Sequence, residues 1–261
     1  MPDVPDHFFT RRREDGIDLR AAWGEHSDQW IAWARQPGHD SYWRFHRDAF
    51  LEIVPDPGRR TLDVGCGEGR LTRHLRSLGH RVVGLDGSAR MVAAGRAEDA
   101  SIPACVGDAA ALPFPEGSFD AVVAFMSFQD VDDLRGAVSE AGRVLEPGGR
   151  LCLAIVHPLN SAGEFESLEP DSRFVITGSY RHPSVYEDDV AHDGMEMVFT
   201  SAHRPLADYA SALFDAGFVI DQICEPTEPL EDDGPDRRER WQRVPLFLHL
   251  RGVRLPQSSK R

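Results

Sequence analysis

The stretch Leu62-Asp63-Val64-Gly65-Cys66-Gly67-Glu68-Gly69-Arg70 carries more chemical information than any other in the chain. An apolar strand runs straight into three closely spaced glycines and then into a helix. Glycines at such a turn take dihedrals that a Cβ would oppose, and they let a ligand approach the backbone. A dinucleotide fingerprint, G-x-G-x-x-G, needs glycine at position 70, where Arg70 stands. The third glycine comes one residue early, and Asp63 precedes the turn. A carboxylate there repels a pyrophosphate and suits a ligand bearing an ammonium or other cation. Two further carboxylates end strands. Asp86 closes Val82-Val83-Gly84-Leu85, 23 residues after Asp63, where both hydroxyls of a ribose could donate to it. Asp108 follows Gly107 after a short third strand, placed to accept from the exocyclic amine of an adenine.

The elements that must position these residues alternate. Thr61–Val64, Arg81–Leu85, Cys105–Val106, Phe119–Phe125 and Arg150–Val156 read as strands; Arg70–Leu78, Ser88–Ala97 and Leu134–Leu145 read as helices. Strands without polar alternation, separated by helices, indicate a parallel sheet covered on both faces, an α/β Rossmann-like, doubly wound fold. Upstream, Ile17–Val54 is helical and rich in aromatics, including Trp23, Trp30, Trp33, Tyr42 and Trp43, and it is split by Gln36-Pro37-Gly38. Downstream, Leu159–Ala202 is polar and irregular, with a strand expected only at Met195–Thr200; insertions of that length tend to be lids or binding loops. Leu206–Ala216 is a helix, and Phe218–Ile223 and Leu246–Val253 are the last strands, with Glu225–Arg240 a solvated loop between them. The organisation expected is a tail and helical cap over 1–57, a main domain over 58–255 with 159–203 as insertion, and a tail over 256–261.

With 41% hydrophobic and 28% charged residues, the chain can bury a sizeable core. Its 29 Lys plus Arg against 43 Asp plus Glu leave −14, which disfavours nucleic acid as a partner. No run reaches the ~18 apolar residues of a membrane span, and Met1–Asp15 lacks the apolar region of a signal peptide. Cys66, Cys105, Cys152 and Cys224 have no disulfide or metal-ligand spacing. The expectation is a cytoplasmic protein, monomer or homodimer, with no metal, nucleic-acid or membrane partner.

The stretches LDVGCGEGRLTRHL, VVGLDGS, GDAAALPFPEGSFDAVV and AGRVLEPGGRLCLAIVHP, in that order, resemble the class I S-adenosylmethionine-dependent methyltransferases. The resemblance is to the small-molecule type-11 group that includes relatives of the ubiquinone C-methyltransferases, and it covers roughly Arg60 to Ala216. It implies a seven-stranded sheet of order 3-2-1-4-5-7-6 with an antiparallel last strand, a place that LFLHLRGV fits. It also implies S-adenosylmethionine as cofactor and S-adenosylhomocysteine as product. Carried over by residue, Asp63, Gly65 and Gly67 hold the methionyl part, with Cys66 and Gly69 lining the turn. Asp86 takes the ribose, Gly87 and Met91 pack beside the adenosine, Asp108 and Ala109 read the adenine edge, and Phe125 closes the methionyl side.

A sulfonium methyl is already activated, so catalysis rests on in-line placement, exclusion of water and, for an oxygen or nitrogen acceptor, a general base. In an open α/β sheet the acceptor meets the carboxyl ends of the strands. The expected acceptor wall is therefore Trp30, Trp33, Tyr42, Trp43, Phe125, Met126 and Gln129, which suits a small aromatic or hydrophobic acceptor. His157 and His203 are the candidate catalytic bases, with His192 a lesser one. Asp130, Asp132 and Asp133 read as the N-terminus of the following helix, Glu187-Asp188-Asp189 as a solvated loop and Arg11-Arg12-Arg13 as a mobile tail. The competing readings are a cofactor-binding protein of the same fold that is idle or catalyses another reaction, and a nicotinamide oxidoreductase, which Arg70 and Asp63 oppose.

Overall fold

A computed structural model describes residues 10–14, 16–227 and 237–256. Its centre is a mixed sheet of seven strands: β2 (Thr61–Val64), β3 (Val82–Asp86), β4 (Ala104–Val106), β5 (Phe119–Phe125), β6 (Leu145–Val156), β11 (Phe218–Cys224) and β12 (Phe247–Arg254). They lie in the order β11-β12-β6-β5-β2-β3-β4, and β12 runs antiparallel to both its neighbours. This is the 3-2-1-4-5-7-6 arrangement expected from the sequence.

The central strands lack polar alternation because each feeds two cores. Along β5 and β6, Val122, Ala124, Leu151, Leu153 and Ile155 face a core shared with α6 (Leu134–Val144) and α8 (Leu206–Asp215). Their alternate neighbours Val123, Phe125, Cys152 and Ala154 face a second core with Leu71 and Leu75 of α4 (Arg70–Ser77) and Phe50 and Ile53 of α3 (Arg47–Ile53). Burial on both faces is what a parallel sheet requires. Helix α5 (Ala89–Glu98) begins at Ser88, whose hydroxyl accepts from the Met91 N–H.

The aromatic N-terminal segment forms α1 (Leu19–Glu25), α2 (Ser27–Arg35), a short π-helical turn (Tyr42–His46) and α3. The expected break after Arg35 is present, and His26 adds a second between α1 and α2.

The larger corrections concern the insertion and the tail. Residues 159–203 hold α7 (Pro158–Ala162, starting just before), the short antiparallel pair β7 (Gly163–Phe165) and β8 (Phe174–Ile176), and a long hairpin of β9 (Ser184–His192) and β10 (Met195–His203). Strand β9 is hidden in the sequence because its inward positions are Tyr186, Asp188, Val190 and His192, two of them polar. The Arg11–Arg13 run is no mobile tail. It belongs to β1 (Thr10–Glu14), paired antiparallel to β9 with Arg11 opposite Asp188 and Arg12 opposite Glu187, so Glu187–Asp189 is a strand rather than a solvated loop. Of the expected loop Glu225–Arg240, residues 228–236 lie outside the described residues, as do 1–9, 15 and 257–261; Arg237–Gln242 is a 3-10 helix in which Arg240 is buried. No helix among the described residues is long and apolar enough to cross a membrane.

Candidate active site

The site begins where β2 turns into α4. Gly65 and Gly67 both take positive φ, 72° and 56°. A Cβ on Gly65 would lie 2.3 Å from the Cβ of Ser127, so the loop after β5 seats directly on this turn. Ser127 in turn donates its hydroxyl to the Val64 carbonyl at 2.8 Å. Gly67 faces the cleft, where a Cβ would fall 3.3 Å from the Trp30 indole nitrogen and 3.7 Å from the Met91 sulfur.

Asp86 ends β3 with one carboxylate oxygen accepting the Gly67 N–H and the other the Ser88 N–H, both at 2.8 Å. Burial raises its pKa, and the two backbone donors and Arg20 oppose that rise. Asp63 is more deeply buried. It accepts from the Thr72 hydroxyl at 2.6 Å, and burial pushes its carboxyl up to about 7. Asp108 is half-exposed and accepts from the Ala110 N–H, while Arg20 of α1 reaches to 3.8 Å from it. The arginine side chain also lies across Gly87.

These groups share one cleft of about 500 Å³ above the carboxyl ends of the strands. Asp63, Gly65, Cys66, Gly67, Asp86, Gly87, Met91, Asp108, Ala109 and Phe125 all line it. Gly69 does not; it lies behind the turn, at the start of α4. The arrangement fits S-adenosylmethionine: carboxylates at the ends of β3 and β4 for a nucleoside, a bare glycine backbone between them, and a carboxylate beneath the turn for a cation.

The residues expected at the acceptor wall divide between the cleft and its surroundings. Trp30, Trp33, Met126 and Gln129 line the cleft. Trp23, Trp30 and Phe199 meet edge to face, with centroids 5.9–6.5 Å apart, and fasten the cap to β10. Tyr42 and Trp43 are corrections. Tyr42 is fully buried behind Phe125 with its hydroxyl on His74, and Trp43 stands half-exposed; neither lines the cleft.

The two candidate bases also lie outside the cleft lining. His157 starts α7: its Nδ1 accepts the Leu159 N–H at 3.0 Å, which leaves Nε2 to donate to Glu225 at 3.1 Å. Burial lowers its pKa against the pull of Glu225. His203 is fully buried. Its Nε2 donates to the Tyr180 carbonyl at 2.9 Å, and its Nδ1 accepts from the Ser161 hydroxyl at 2.7 Å. Both imidazoles thus have each ring nitrogen committed to structure. His192 sits on the hairpin tip with its ring 4.4 Å from that of His39; with Asp193 they bring three metal-capable side chains together.

The acidic run after β5 is divided among three tasks. Asp133 caps α6 by accepting the Gly136 N–H, as read from the sequence. Asp132 accepts the Leu19 N–H and so anchors the cap. Asp130 lines the cleft and accepts from Ser201. Arg70, Asp40, Arg20, Phe199 and Ser201 also line the cleft and were missed in the sequence. Phe199 and Ser201 fall inside or beside the expected strand Met195–Thr200, whose place above the sheet only the fold reveals.

Residues 62–153 match the protein family described as a methyltransferase domain. Demethylmenaquinone methyltransferase of Corynebacterium efficiens is 37% identical over 117 residues, 45% of this chain and 49% of that protein. The chain thus spans about half the length of the curated relatives it matches. Among solved structures, an S-adenosylmethionine dependent methyltransferase from Mesorhizobium loti superposes with a TM-score of 0.66 at 24% identity, over 82% of this chain and 98% of that one. The cyclase SpnF superposes with a TM-score of 0.61 at 18% identity, over 94% and 99%. At such identities the structural likeness speaks for the fold.

Proposed function

We propose that the chain is an enzyme that moves a methyl group from S-adenosylmethionine to an oxygen or nitrogen of a small aromatic or hydrophobic metabolite. One observation carries this reading: a single cleft joins the Asp86–Gly67 turn to an aromatic wall formed by cap and hairpin. The matched methyltransferase domain spans the first of these, and the second comes from segments outside the matched residues.

When bound, S-adenosylmethionine supplies a methyl group activated by its sulfonium. Asp86 would accept from the ribose hydroxyls and Asp108 from the adenine amine, with Met91 beside the adenosine. Asp63 would stabilise positive charge beside the turn. Phe125 and Met126 close the floor at the end of β5, and Met126 holds a positive φ of 51°, an unusual backbone state for a side-chain-bearing residue. Trp23, Trp30, Trp33 and Phe199 exclude water and offer ring faces and edges to an apolar acceptor.

Titration calorimetry with S-adenosylmethionine, S-adenosylhomocysteine and NAD tests the first half: the first two bind and NAD does not. A turnover screen with methyl-labelled S-adenosylmethionine against phenols, amines and carboxylic acids, read by mass, tests the second. A second reading is that the same cleft folds a substrate without transferring a methyl. Cofactor binding with no labelled product from any acceptor would favour it.

A further inference from the structure

The methyl-transfer reading leaves the proton of the acceptor without a destination, because His157 and His203 are both turned to structural hydrogen bonds. Among the ionisable groups that line the cleft, Asp130 stands at the loop after β5, beside the glycine turn. It ends the short 3-10 helix Phe128–Asp130, three residues beyond the Ser127 that seats on Gly65. Parallel pairing of β5 with β2 puts this loop directly over the glycine turn. Asp130 is partly exposed, and it lines the cleft.

The carboxylate is held in place. Its Oδ1 accepts from the Ser201 hydroxyl of β10 at 2.6 Å, and its Oδ2 from the Gln129 amide at 3.2 Å. The Gln129 side chain is 3% exposed, and its carbonyl oxygen has no hydrogen-bond partner among the described residues. A carboxylate on the cleft wall, beside tryptophan and phenylalanine, suits an aromatic ligand with a hydrogen-bond donor on it.

We propose, resting on the methyl-transfer reading, that Asp130 is the catalytic base and that the acceptor is a hydroxyl-bearing aromatic whose O–H donates to it. The acceptor oxygen forms its bond to the methyl carbon as the carbon–sulfur bond breaks. The bonding pair passes to sulfur, and the O–H proton passes to Asp130. Sulfonium and carboxylate charges are thereby both neutralised.

The groups facing Asp130 set its proton affinity. Burial raises its pKa well above the ordinary carboxylate range, while Ser201, Arg204, Gln129 and Trp23 pull it down; Tyr209 of α8 also faces it. Asp132, two residues along, is turned to the Leu19 N–H. A base of raised pKa removes a phenolic proton better than an ordinary carboxylate does, provided the pH is high enough to ionise it.

The test uses the full chain saturated with S-adenosylhomocysteine and 1-naphthol as probe, by calorimetry from pH 5 to 8. Wild type should bind naphthol with an affinity that rises with pH as Asp130 ionises, and Asp130→Asn should be flat. Ser201→Ala, which removes a donor to the carboxylate, should move the rise to higher pH. In single turnovers on any phenol that wild type methylates, Asp130→Asn should lose a hundredfold or more, with S-adenosylhomocysteine affinity unchanged, and Asp130→Glu should restore part. Identical naphthol profiles in wild type and Asp130→Asn would overturn the assignment of the base. S-adenosylhomocysteine binding without binding of naphthol or any phenol would overturn the acceptor class. Failure of wild type to bind S-adenosylhomocysteine would instead sink the methyl-transfer reading itself.

Discussion

Arg70, the first residue of α4, forms an ion pair with Asp40 of the cap, and both side chains are largely buried. The guanidinium also lies over the rings of Trp30, Tyr42 and Phe125, 5.1–5.5 Å from their centroids. The arginine that replaces a fingerprint glycine therefore ties the aromatic cap to the glycine turn, on the wall of the cleft. Asp40→Ala leaves a buried guanidinium without its counter-charge and should cost about 3–5 kcal/mol of stability, read from urea midpoints. Replacing both partners, Asp40→Leu with Arg70→Met, should recover most of that loss, since no charge is then stranded.

Asp86→Ala should weaken S-adenosylhomocysteine binding ten- to a hundredfold, about 1.5–3 kcal/mol of charge-assisted hydrogen bonding. Calorimetry on the folded variant checks this. The same change strips the Gly67 and Ser88 N–H groups of their acceptor, so a lower melting temperature should accompany it. Full affinity in the variant would remove Asp86 from the nucleoside site.

Asp63 should make cofactor binding depend on pH. Its carboxyl titrates near about 7 because burial disfavours the charged form. A cationic ligand prefers the carboxylate, so binding below that pH must expel a proton. Affinity for S-adenosylmethionine should fall by up to tenfold per unit as pH drops below about 7, and Asp63→Asn should flatten that dependence. Calorimetry in buffers of different ionisation heat measures the released proton directly.

His46 and His249 pack with His46 Nδ1 3.0 Å from His249 Nε2, inside the core beneath Phe125 and Phe50. Burial lowers both pKa values, that of His249 to about 4. The unfolded chain binds a proton near the ordinary histidine value of about 6.5, which the folded chain refuses until about 4. Stability is therefore complete above that ordinary value and lost as pH falls through this window. Between pH 7 and 5, His249 alone should remove about 2 kcal/mol, and His249→Phe should flatten the slope of urea midpoints against pH. An unchanged slope would show that the imidazole does not carry it.

Much of this molecule is written locally. The strand-glycine-helix passage at Leu62–Arg70 and the doubly apolar β5 and β6 report their own environments, because burial on both faces leaves only hydrophobic residues in a strand. Strand-end carboxylates are legible for the same reason: Asp86 and Asp108 stand at fixed offsets from elements that a short window reveals. The hairpin β9–β10 was half legible. Its Asp193-Gly194 tip, with φ of 49° and 75°, is a strong two-residue turn signal, but inward Asp188 and His192 broke the hydropathy alternation. What only the tertiary structure decided is which side chains face the cleft. His157 and His203 sit at the right addresses in the chain, yet His157 Nε2 is turned to Glu225 and both His203 nitrogens to Tyr180 and Ser161, partners from other segments. Asp130 looked like one more acid at a helix start, and Asp133 was the one that capped it. Ser201, 71 residues away, donates its hydroxyl to Asp130 on the cleft wall. A side chain's direction is set by partners brought together across the chain, and no window of sequence contains them.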